Sequence, residues 1–181
     1  TADAALETTS LESLNKLGLL DNSVYRERLE EELSVISDRG FSKYFLTMKA
    51  ISDTATENQL AGPGRGSAAG SLVAYALGIT QVDPIKYGLQ FARFLRKDAT
   101  DYPDIDYDVS SPMELKEIMQ EKWGTTTVVP ISNFNTLQLK SLVKDISKLY
   151  DIPFAEANSV TSRMVSEATP KAKAKHGIKS G

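Results

Sequence analysis

The sequence contains no cysteine, so disulfide bonds and thiolate metal sites are excluded. It also lacks long apolar runs: no stretch approaches the roughly eighteen consecutive apolar residues of a membrane-spanning helix. The first four residues lack the basic flank and apolar run of a secretion signal. We therefore expect a cytoplasmic protein without a membrane partner.

The sequence also lacks an excess of positive charge, since 21 Lys and Arg residues stand against 24 Asp and Glu residues and the formal net charge is −3. A domain that holds duplex DNA by bulk electrostatics is usually basic. Any nucleic-acid role must therefore depend on a local site or on other parts of a larger protein. The length of 181 residues suits one domain with a substantial core, and 41% hydrophobic residues are ordinary for a globular chain.

Helical periodicity and capping residues divide most of the chain into predicted helices. The predicted helices cover 10–17, 23–39, 44–51, 72–77, 112–123, 135–149 and 154–165. In the second helix the charged residues from Arg26 to Glu32 are interpreted as a solvated face. The remaining tail, 169–181, has no periodicity, and we expect it to be disordered.

Two segments are predicted to be strands. Residues 103–109 alternate strictly between acidic and other side chains, which is a period of two. Residues 125–129 are β-branched and predict a second strand. We divide the chain into a helical segment (1–60), a core with the chemistry (61–150) and a terminal helix with its tail (151–181).

The first feature that indicates chemistry is a glycine-serine loop over 62–71. Glycine lets the backbone approach a ligand closely, so that successive N–H groups can converge on an anion. The helix that follows would add its positive dipole end and free N–H groups, Arg65 a charge and Ser67 a hydroxyl. The loop predicts a triphosphate site, although composition alone fits a flexible hinge or a tight turn equally well. It is not a Walker loop, because no Lys-Ser or Lys-Thr pair follows the glycines.

The second feature is the row of carboxylates Asp104, Asp106 and Asp108. Alternation puts all three on one face, about 7 Å apart along a strand, and turns Ile105 and Tyr107 the other way. Two adjacent carboxylates on one face can bridge a pair of Mg²⁺ ions. An acidic solvated strand and a loose Ca²⁺ site are the alternatives.

The combination of the two features indicates more than either does alone. A phosphate-binding loop followed by metal-binding carboxylates is the arrangement that nucleotidyl transfer needs. This inference concerns the class of reaction only.

At these residues the sequence resembles the C-family replicative DNA polymerases, the family of the bacterial DNA polymerase III alpha subunit. The resemblance runs from about residue 25 to 124 and continues more weakly to about 149. Its strongest part is the run 62–75, which reads GPGRGSAAGSLVAY. Phe91-x-Arg93-Phe94-Leu95 and Pro103-Asp104-Ile105-Asp106 follow at the family's spacing.

The resemblance implies roles for individual residues. Asp104 and Asp106 match two catalytic aspartates that bind Mg²⁺, two ions in the intact enzyme. Gly66 and Ser67 match the motif that holds the incoming triphosphate. The basic residues that line the same site are matched by Arg65 and Arg93.

The resemblance also implies a fold and a function. Asp108 would have a structural hydrogen-bonding role. The fold would be an α/β, polymerase-beta-like palm, with a small mixed sheet packed against several helices. The reaction would be template-directed addition of deoxynucleotides to primer-template DNA by a DNA-directed DNA polymerase, with the sliding clamp and other replisome subunits as partners.

Several positions depart from the family's pattern. Ala92 replaces the usual glutamate, and the later motifs differ at 133–136 and 144–146, which indicates a divergent member such as a viral one. The family's third catalytic aspartate lies beyond residue 181, so we expect this chain alone to be nearly inactive in primer extension. Robust extension by the purified chain would contradict this. A degenerate palm that acts as a binding module and a nucleotidyltransferase with another acceptor are the alternatives.

Overall fold

The computed structural model of the protein describes residues 1–132, 134 and 136–177. Within these residues the chain forms seven α-helices and two 3₁₀ turns. The helices are α1 (Ala2–Lys16), α2 (Ser23–Asp38), α3 (Ser42–Asn58), α4 (Leu72–Ala76), α5 (Pro112–Trp123), α6 (Leu139–Leu149) and α7 (Phe154–His176). The 3₁₀ turns are Gly66–Gly70 and Phe91–Arg93.

Helices with clear capping residues begin where the sequence predicts. Asn22 caps α2, because its side-chain oxygen accepts a hydrogen bond from the Val24 N–H at 3.0 Å. Ser71 caps α4 in the same way, through the N–H of Ala74 at 3.0 Å. Pro112 lies in the first turn of α5, which ends before Gly124.

The start of α1 differs from the prediction. The helix begins at Ala2, where the Thr1 side chain accepts a hydrogen bond from the Ala4 N–H at 3.3 Å. Ser10, where the sequence predicts this helix to begin, is instead buried in the middle of it. A buried serine within an apolar stripe at Leu6 and Leu14 continues the helix, so the prediction of a start at residue 10 was wrong.

The chain divides into two compact units, Thr1–Pro130 and Ile131–Gly181. The first unit holds the main hydrophobic core, in which α1 packs against α2, α3 and α4, and α2 packs against α4. Phe45, Leu29 and Leu72 are fully buried there. The division predicted from the sequence, into 1–60, 61–150 and 151–181, concerns function and not compactness. It stays a prediction.

The predicted α/β fold with a mixed sheet is wrong. Within residues 1–132, 134 and 136–177 the regular structure is helical, and the only bridge of β type joins Ala61 to Val109. A strand needs a neighbouring strand for its N–H and C=O groups. Segment 103–109 is extended but meets other backbone only at one end, where Gly62 N–H donates to Asp108 O at 2.8 Å.

The second predicted strand is a turn that folds back on the end of α5. Both Thr127 and Val128 donate their N–H to Gly124 O at 3.1 Å. The Gln120 side chain donates to Val128 O at 2.9 Å. These short-range bonds satisfy the backbone locally, and the β-branched residues therefore form no strand.

The second unit is a pair of helices, α6 and α7, that pack against each other. Lys144 on α6 donates to the side chain of Asn158 on α7 at 2.6 Å. Helix α7 continues to His176, so the expectation of disorder is wrong for 169–176. Alanine and lysine are strong helix formers, which favours this extension. Residues 178–181 and Asn135, the predicted helix start, lie outside the described residues.

A helix that crosses a bilayer has to be both long and predominantly apolar. In the part of the chain that the structure covers, no helix combines the length and the apolar character of a membrane span.

Candidate functional site

The glycine-serine loop forms a short 3₁₀ turn that leads into α4. Gly66 opens this turn with φ +68°, a left-handed conformation that disfavours residues with a side chain. Ser67 follows and is exposed, while Ala68 is buried in the core. The turn is therefore held on the core through Ala68, and its first two residues, Gly66 and Ser67, are exposed to solvent.

The acidic segment keeps the predicted alternation although it is not a strand. Asp104, Asp106 and Asp108 are exposed, whereas Ile105 and Tyr107 are partly buried against the core. The predicted alternation of exposed carboxylates with partly buried neighbours is therefore present in the structure. Packing on α3, rather than pairing in a sheet, sets this orientation.

Two tyrosines hold the acidic segment on α3. Tyr44 O–H donates to the carbonyl of Pro103 at 2.6 Å, immediately before Asp104. Burial raises the pKa of Tyr44 above its usual value, so its hydroxyl stays protonated and able to donate. The hydroxyls of Tyr107 and Ser52 lie 3.1 Å apart at the other end of the segment. The backbone that carries the carboxylates is thus fixed at both ends.

The loop and the acidic segment meet at Gly66 and Asp106. A Cβ atom on Gly66 would lie 3.3 Å from the Asp106 carboxyl carbon and would collide with Oδ2. Four positions earlier in the loop, a Cβ on Gly62 would lie 3.1 Å from the Asp108 Cβ. Residues forty positions apart in the sequence therefore form one surface, and glycine is required at residue 66 by both its φ angle and its neighbour.

The turn also forms one wall of an open cavity of about 490 Å³. The opposite wall is the segment that leads to Arg93. The lining residues are Gly66, Ser67, Ala69, Gly70, Gly88, Leu89, Gln90 and Arg93. Three of the four predicted triphosphate ligands thus surround one cavity.

Arg65, the fourth predicted ligand, points elsewhere. Its guanidinium lies 3.4 Å from the carboxylate of Asp108, and both side chains are exposed. An exposed ion pair of this kind is worth little and breaks easily. Asp108 also accepts the Gly62 N–H through its backbone carbonyl. Because any residue could make this bond, the structural role of the Asp108 side chain stays a prediction.

Sequence reasoning missed an ion pair with a buried carboxylate behind the turn. Arg28 and Glu32 of α2 were assigned to a solvated face, but Glu32 is fully buried and its Oε1 lies 2.7 Å from Arg28 Nε. Residues at i and i+4 lie on the same side of a helix. Glu32 follows Leu29 by three positions and Tyr25 by seven, so helical spacing places it in the apolar stripe despite its charge.

Glu32 occupies the start of α4, where the sequence predicted free N–H groups for a phosphate. Its carboxylate accepts hydrogen bonds from the N–H of Leu72 at 2.9 Å and of Val73 at 3.0 Å. Ser71 Oγ donates to it at 2.9 Å. A protein carboxylate therefore already binds this helix start, and the prediction that it is free for a ligand was wrong.

The electrostatics of Glu32 contain two opposing effects. Burial raises its pKa, because a low-dielectric environment disfavours the charged form. The N–H groups of Leu72 and Val73 and the guanidinium of Arg28 act in the opposite direction. Since all the groups that contact this carboxylate are donors, the arrangement matches the ionised form.

The predicted metal ligands are two carboxylates only. Among the residues that the structure describes, no group of three or more Asp, Glu or His side chains is arranged to hold a metal ion. Asp104 and Asp106 remain the predicted pair. Two positions of a later family motif, Asn133 and Asn135, lie outside the described residues.

The comparison with known proteins covers almost the whole chain. A family model described as the bacterial DNA polymerase III alpha NTPase domain matches residues 5–180. The DNA polymerase III subunit alpha of Aquifex aeolicus is 42% identical over 143 residues, which cover 77% of this chain and 12% of that protein. The Borreliella burgdorferi subunit is 42% identical over 159 residues, which cover 86% of this chain and 14% of the relative.

A third relative shows the same likeness. The DNA polymerase III subunit alpha of Mycobacterium tuberculosis (strain H37Rv) is 44% identical over 145 residues, 77% of this chain and 12% of the relative. The chain thus spans 12% to 14% of the length of these three relatives.

Proposed function

Because the chain belongs to the family of bacterial DNA polymerase III alpha subunits, we propose that it contributes the nucleotide-binding part of a DNA-directed DNA polymerase. The reaction is the addition of deoxynucleotides to the 3′ end of a primer on template DNA. The single observation that carries the proposal is the meeting of Gly66 with Asp106 beside the cavity that Arg93 lines. A triphosphate and a divalent ion have to lie side by side for nucleotidyl transfer.

The cavity has the donors that a triphosphate needs. Ser67 has a hydroxyl, and the turn from Gly66 to Gly70 has backbone N–H groups. Arg93 adds a charged guanidinium that suits phosphate oxygens. Gly66 and Ser67 hold the phosphates in this proposal, with Arg93 opposite. Arg65 joins them by leaving its weak ion pair with Asp108.

The exposed carboxylates fit Mg²⁺. Magnesium takes one or two carboxylates and completes its coordination with water and phosphate oxygens. Asp104 and Asp106 supply such a set on one exposed face, and Asp106 lies against the turn that would hold the phosphates. A bound Mg²⁺ would neutralise the charge that develops on the transferred phosphate.

The remaining parts of the proposal come from the family. We assign the chain to the palm region of the polymerase, as a helical element of it. Primer-template DNA and deoxynucleoside triphosphates are the proposed substrates, the sliding clamp and other replisome subunits the proposed partners, and the cytoplasm the proposed location.

Binding to the purified chain tests the nucleotide and metal sites. We expect dATP with Mg²⁺ to perturb the amide resonances of Gly66, Ser67 and Arg93. The double variant Asp104→Asn with Asp106→Asn should lose metal binding and keep its helix content, because both side chains are exposed. Asp101→Asn, an exposed neighbour before the alternating segment, is the matched control and should bind like the parent chain.

Two outcomes would count against the proposal. Loss of helix content in the double variant would mean that the carboxylates have a structural role. Absence of any nucleotide or metal binding would favour the non-catalytic binding module.

The polymerase reaction itself needs a longer protein. Replacing the matching 143 residues of the Aquifex aeolicus subunit by this chain should give a chimera that extends a primer. The same chimera with both aspartates changed to asparagine should not. A chimera that binds nucleotide but transfers it to a non-DNA acceptor would support the alternative nucleotidyltransferase.

A further inference from the structure

The ion pair of partly buried Arg28 and fully buried Glu32 belongs to neither of the predicted ligand sets, yet its contacts reach the cavity. Arg28 Nη2 donates to the carbonyl of Gly70 at 2.8 Å and to that of Leu89 at 3.0 Å. Gly70 and Leu89 both line the 490 Å³ cavity, on opposite walls. One guanidinium therefore joins the two walls from behind.

The two walls also touch each other directly at this point. A Cβ on Gly70 would lie 2.8 Å from the carbonyl oxygen of Gln90, another lining residue. Arg93 follows three residues later on the same wall. The position of Arg93 relative to Ser67 thus depends on how the Gly70 and Leu89 carbonyls are held together.

Glu32 fixes the remaining end of the turn. Its Oε1 accepts from Arg28 Nε and the Leu72 N–H, and its Oε2 accepts from Ser71 Oγ and the Val73 N–H. Three of these donors, on Ser71, Leu72 and Val73, lie directly after Gly70, the last residue of the turn. The carboxylate holds the start of α4 and orients the guanidinium at the same time.

We propose that Arg28 and Glu32 are positioning residues of the nucleotide site, which set the separation between the turn with Ser67 and the wall with Arg93. The inference rests on the proposed function and adds residues on α2 to it. Hydrogen bonds between charged and neutral groups are directional, so they fix a geometry that apolar packing leaves adjustable. Supporting contacts behind a ligand site commonly determine how well it is formed.

A purely stabilising pair would have a different signature. Buried ion pairs often contribute little net stability compared with apolar residues of equal size. If the pair only stabilised the fold, variants that stay folded would bind nucleotide normally. If it positions the walls, nucleotide affinity falls in folded variants while metal affinity at the exposed carboxylates is retained.

Two variants separate these signatures. Glu32→Gln keeps the size of the side chain but turns an NH₂ group toward donors, whichever way the amide is oriented. Arg28→Lys keeps the positive charge beside Glu32, and one ammonium cannot reproduce contacts made by both Nε and Nη2. The matched controls are Glu31→Gln and Arg26→Lys, two exposed residues of the same helix.

The measurement is the dissociation constant of dATP with Mg²⁺, and of Mn²⁺ alone, on the full chain well below its unfolding temperature. We expect each variant to weaken dATP binding roughly tenfold, as for the loss of one net hydrogen bond. Mn²⁺ affinity and both controls should stay within about twofold of the parent chain. Should Glu32→Gln fail to fold, Arg28→Lys carries the test.

The contrary result is a normal dATP affinity in folded variants whose Leu72 and Val73 amides exchange faster than in the parent chain. That result would overturn the inference and leave the pair as a stabilising feature.

A parent chain that binds no dATP would count against the proposed function and is a separate outcome. The inference is then judged from the amide resonances of Ala69 and Gln90, one on each wall. Shifts of both in the two variants, and in neither control, would support it. Shifts confined to α2 and α4 would overturn it.

Discussion

The carboxylate behind the glycine-serine turn and the carboxylates in front of it have opposite environments. Glu32 is fully buried and is contacted by a guanidinium, a hydroxyl and two backbone N–H groups. Asp104 and Asp106 are exposed on an extended segment that is fixed through Tyr44 at its first residue. Both kinds of acid lie within one compact unit and border the same ten-residue loop.

The difference shows that acidic side chains beside one loop can have two roles: one shapes the loop, and the others are available to a ligand. The oxygens of Glu32 are engaged with protein donors, so this residue shapes the loop and has little capacity for a ligand. The exposed aspartates keep hydrated oxygens that a metal ion can take over. Asp83, half-buried and hydrogen-bonded to Tyr25 at 2.6 Å, lies between these extremes.

The largest effect on stability should come from removing the buried acid. Glu32→Ala leaves Arg28 and two N–H groups without their partner, and we expect it to lower the free energy of unfolding by about 3–5 kcal/mol. Asp106→Ala, at an exposed position, should change it by no more than about 0.5 kcal/mol. Urea denaturation followed by circular dichroism measures both. Equal losses of stability in the two variants would contradict the contrast between the buried Glu32 and the exposed Asp106.

A smaller effect is expected where the loop meets the exposed acids. Gly66→Ala should cost about 1–2 kcal/mol through its left-handed φ angle alone, and the new Cβ would also displace the Asp106 carboxylate. Denaturation measures the loss of stability, and Mn²⁺ binding reports the displacement of the Asp106 carboxylate. Gly18→Ala, which has a similar φ angle and open space around it, is the matched control. If both variants bind Mn²⁺ like the parent chain, the contact between Gly66 and Asp106 is unimportant for the site.

Of the three destabilising changes, the smallest is expected at the hydrogen bond between Tyr25 and the intermediate acid, Asp83, and it depends on pH. The hydrogen bond to Asp83 raises the pKa of Tyr25 from its ordinary 10.0 to about 12. The folded chain therefore keeps this proton where the unfolded chain has lost it, so stability is fully present below pH 10 and falls as pH rises toward 12. Tyr25→Phe should cost about 1 kcal/mol at neutral pH.

Tyrosinate absorbance measured against pH tests this assignment among the seven tyrosines. Tyr25→Phe should remove one high-pH step, and Asp83→Asn should move that step toward the ordinary value. A titration curve that Asp83→Asn leaves unchanged would mean that the hydrogen bond does not control this group.

Local signals in the sequence predicted the helices but not the fold class. The caps at Asn22 and Ser71 and the break at Gly124 act on adjacent backbone, so they are visible in the sequence. The alternation at 103–109 correctly predicted which side chains are exposed. It could not predict a sheet, because alternating burial arises equally when an extended segment packs on α3 through Tyr107.

The exposed half of the candidate site was accessible from the sequence, and the buried half was not. The residues predicted to contact ligands lie in recognisable motifs, and the structure brings Gly66, Ser67 and Arg93 around one cavity. Arg28 and Glu32 stand in a run of charged residues, where composition indicates a solvated surface. Only the spacing of Glu32 from Tyr25 and Leu29 signals its burial.

Anomalous scattering from a crystal of the chain soaked with Mn²⁺ and a deoxynucleoside triphosphate tests the central claim most directly. We expect a metal peak between Asp104 and Asp106 and phosphate density at Gly66 and Ser67, facing Arg93. Carboxylates without a metal peak, or phosphate density bound away from this cavity, would contradict it.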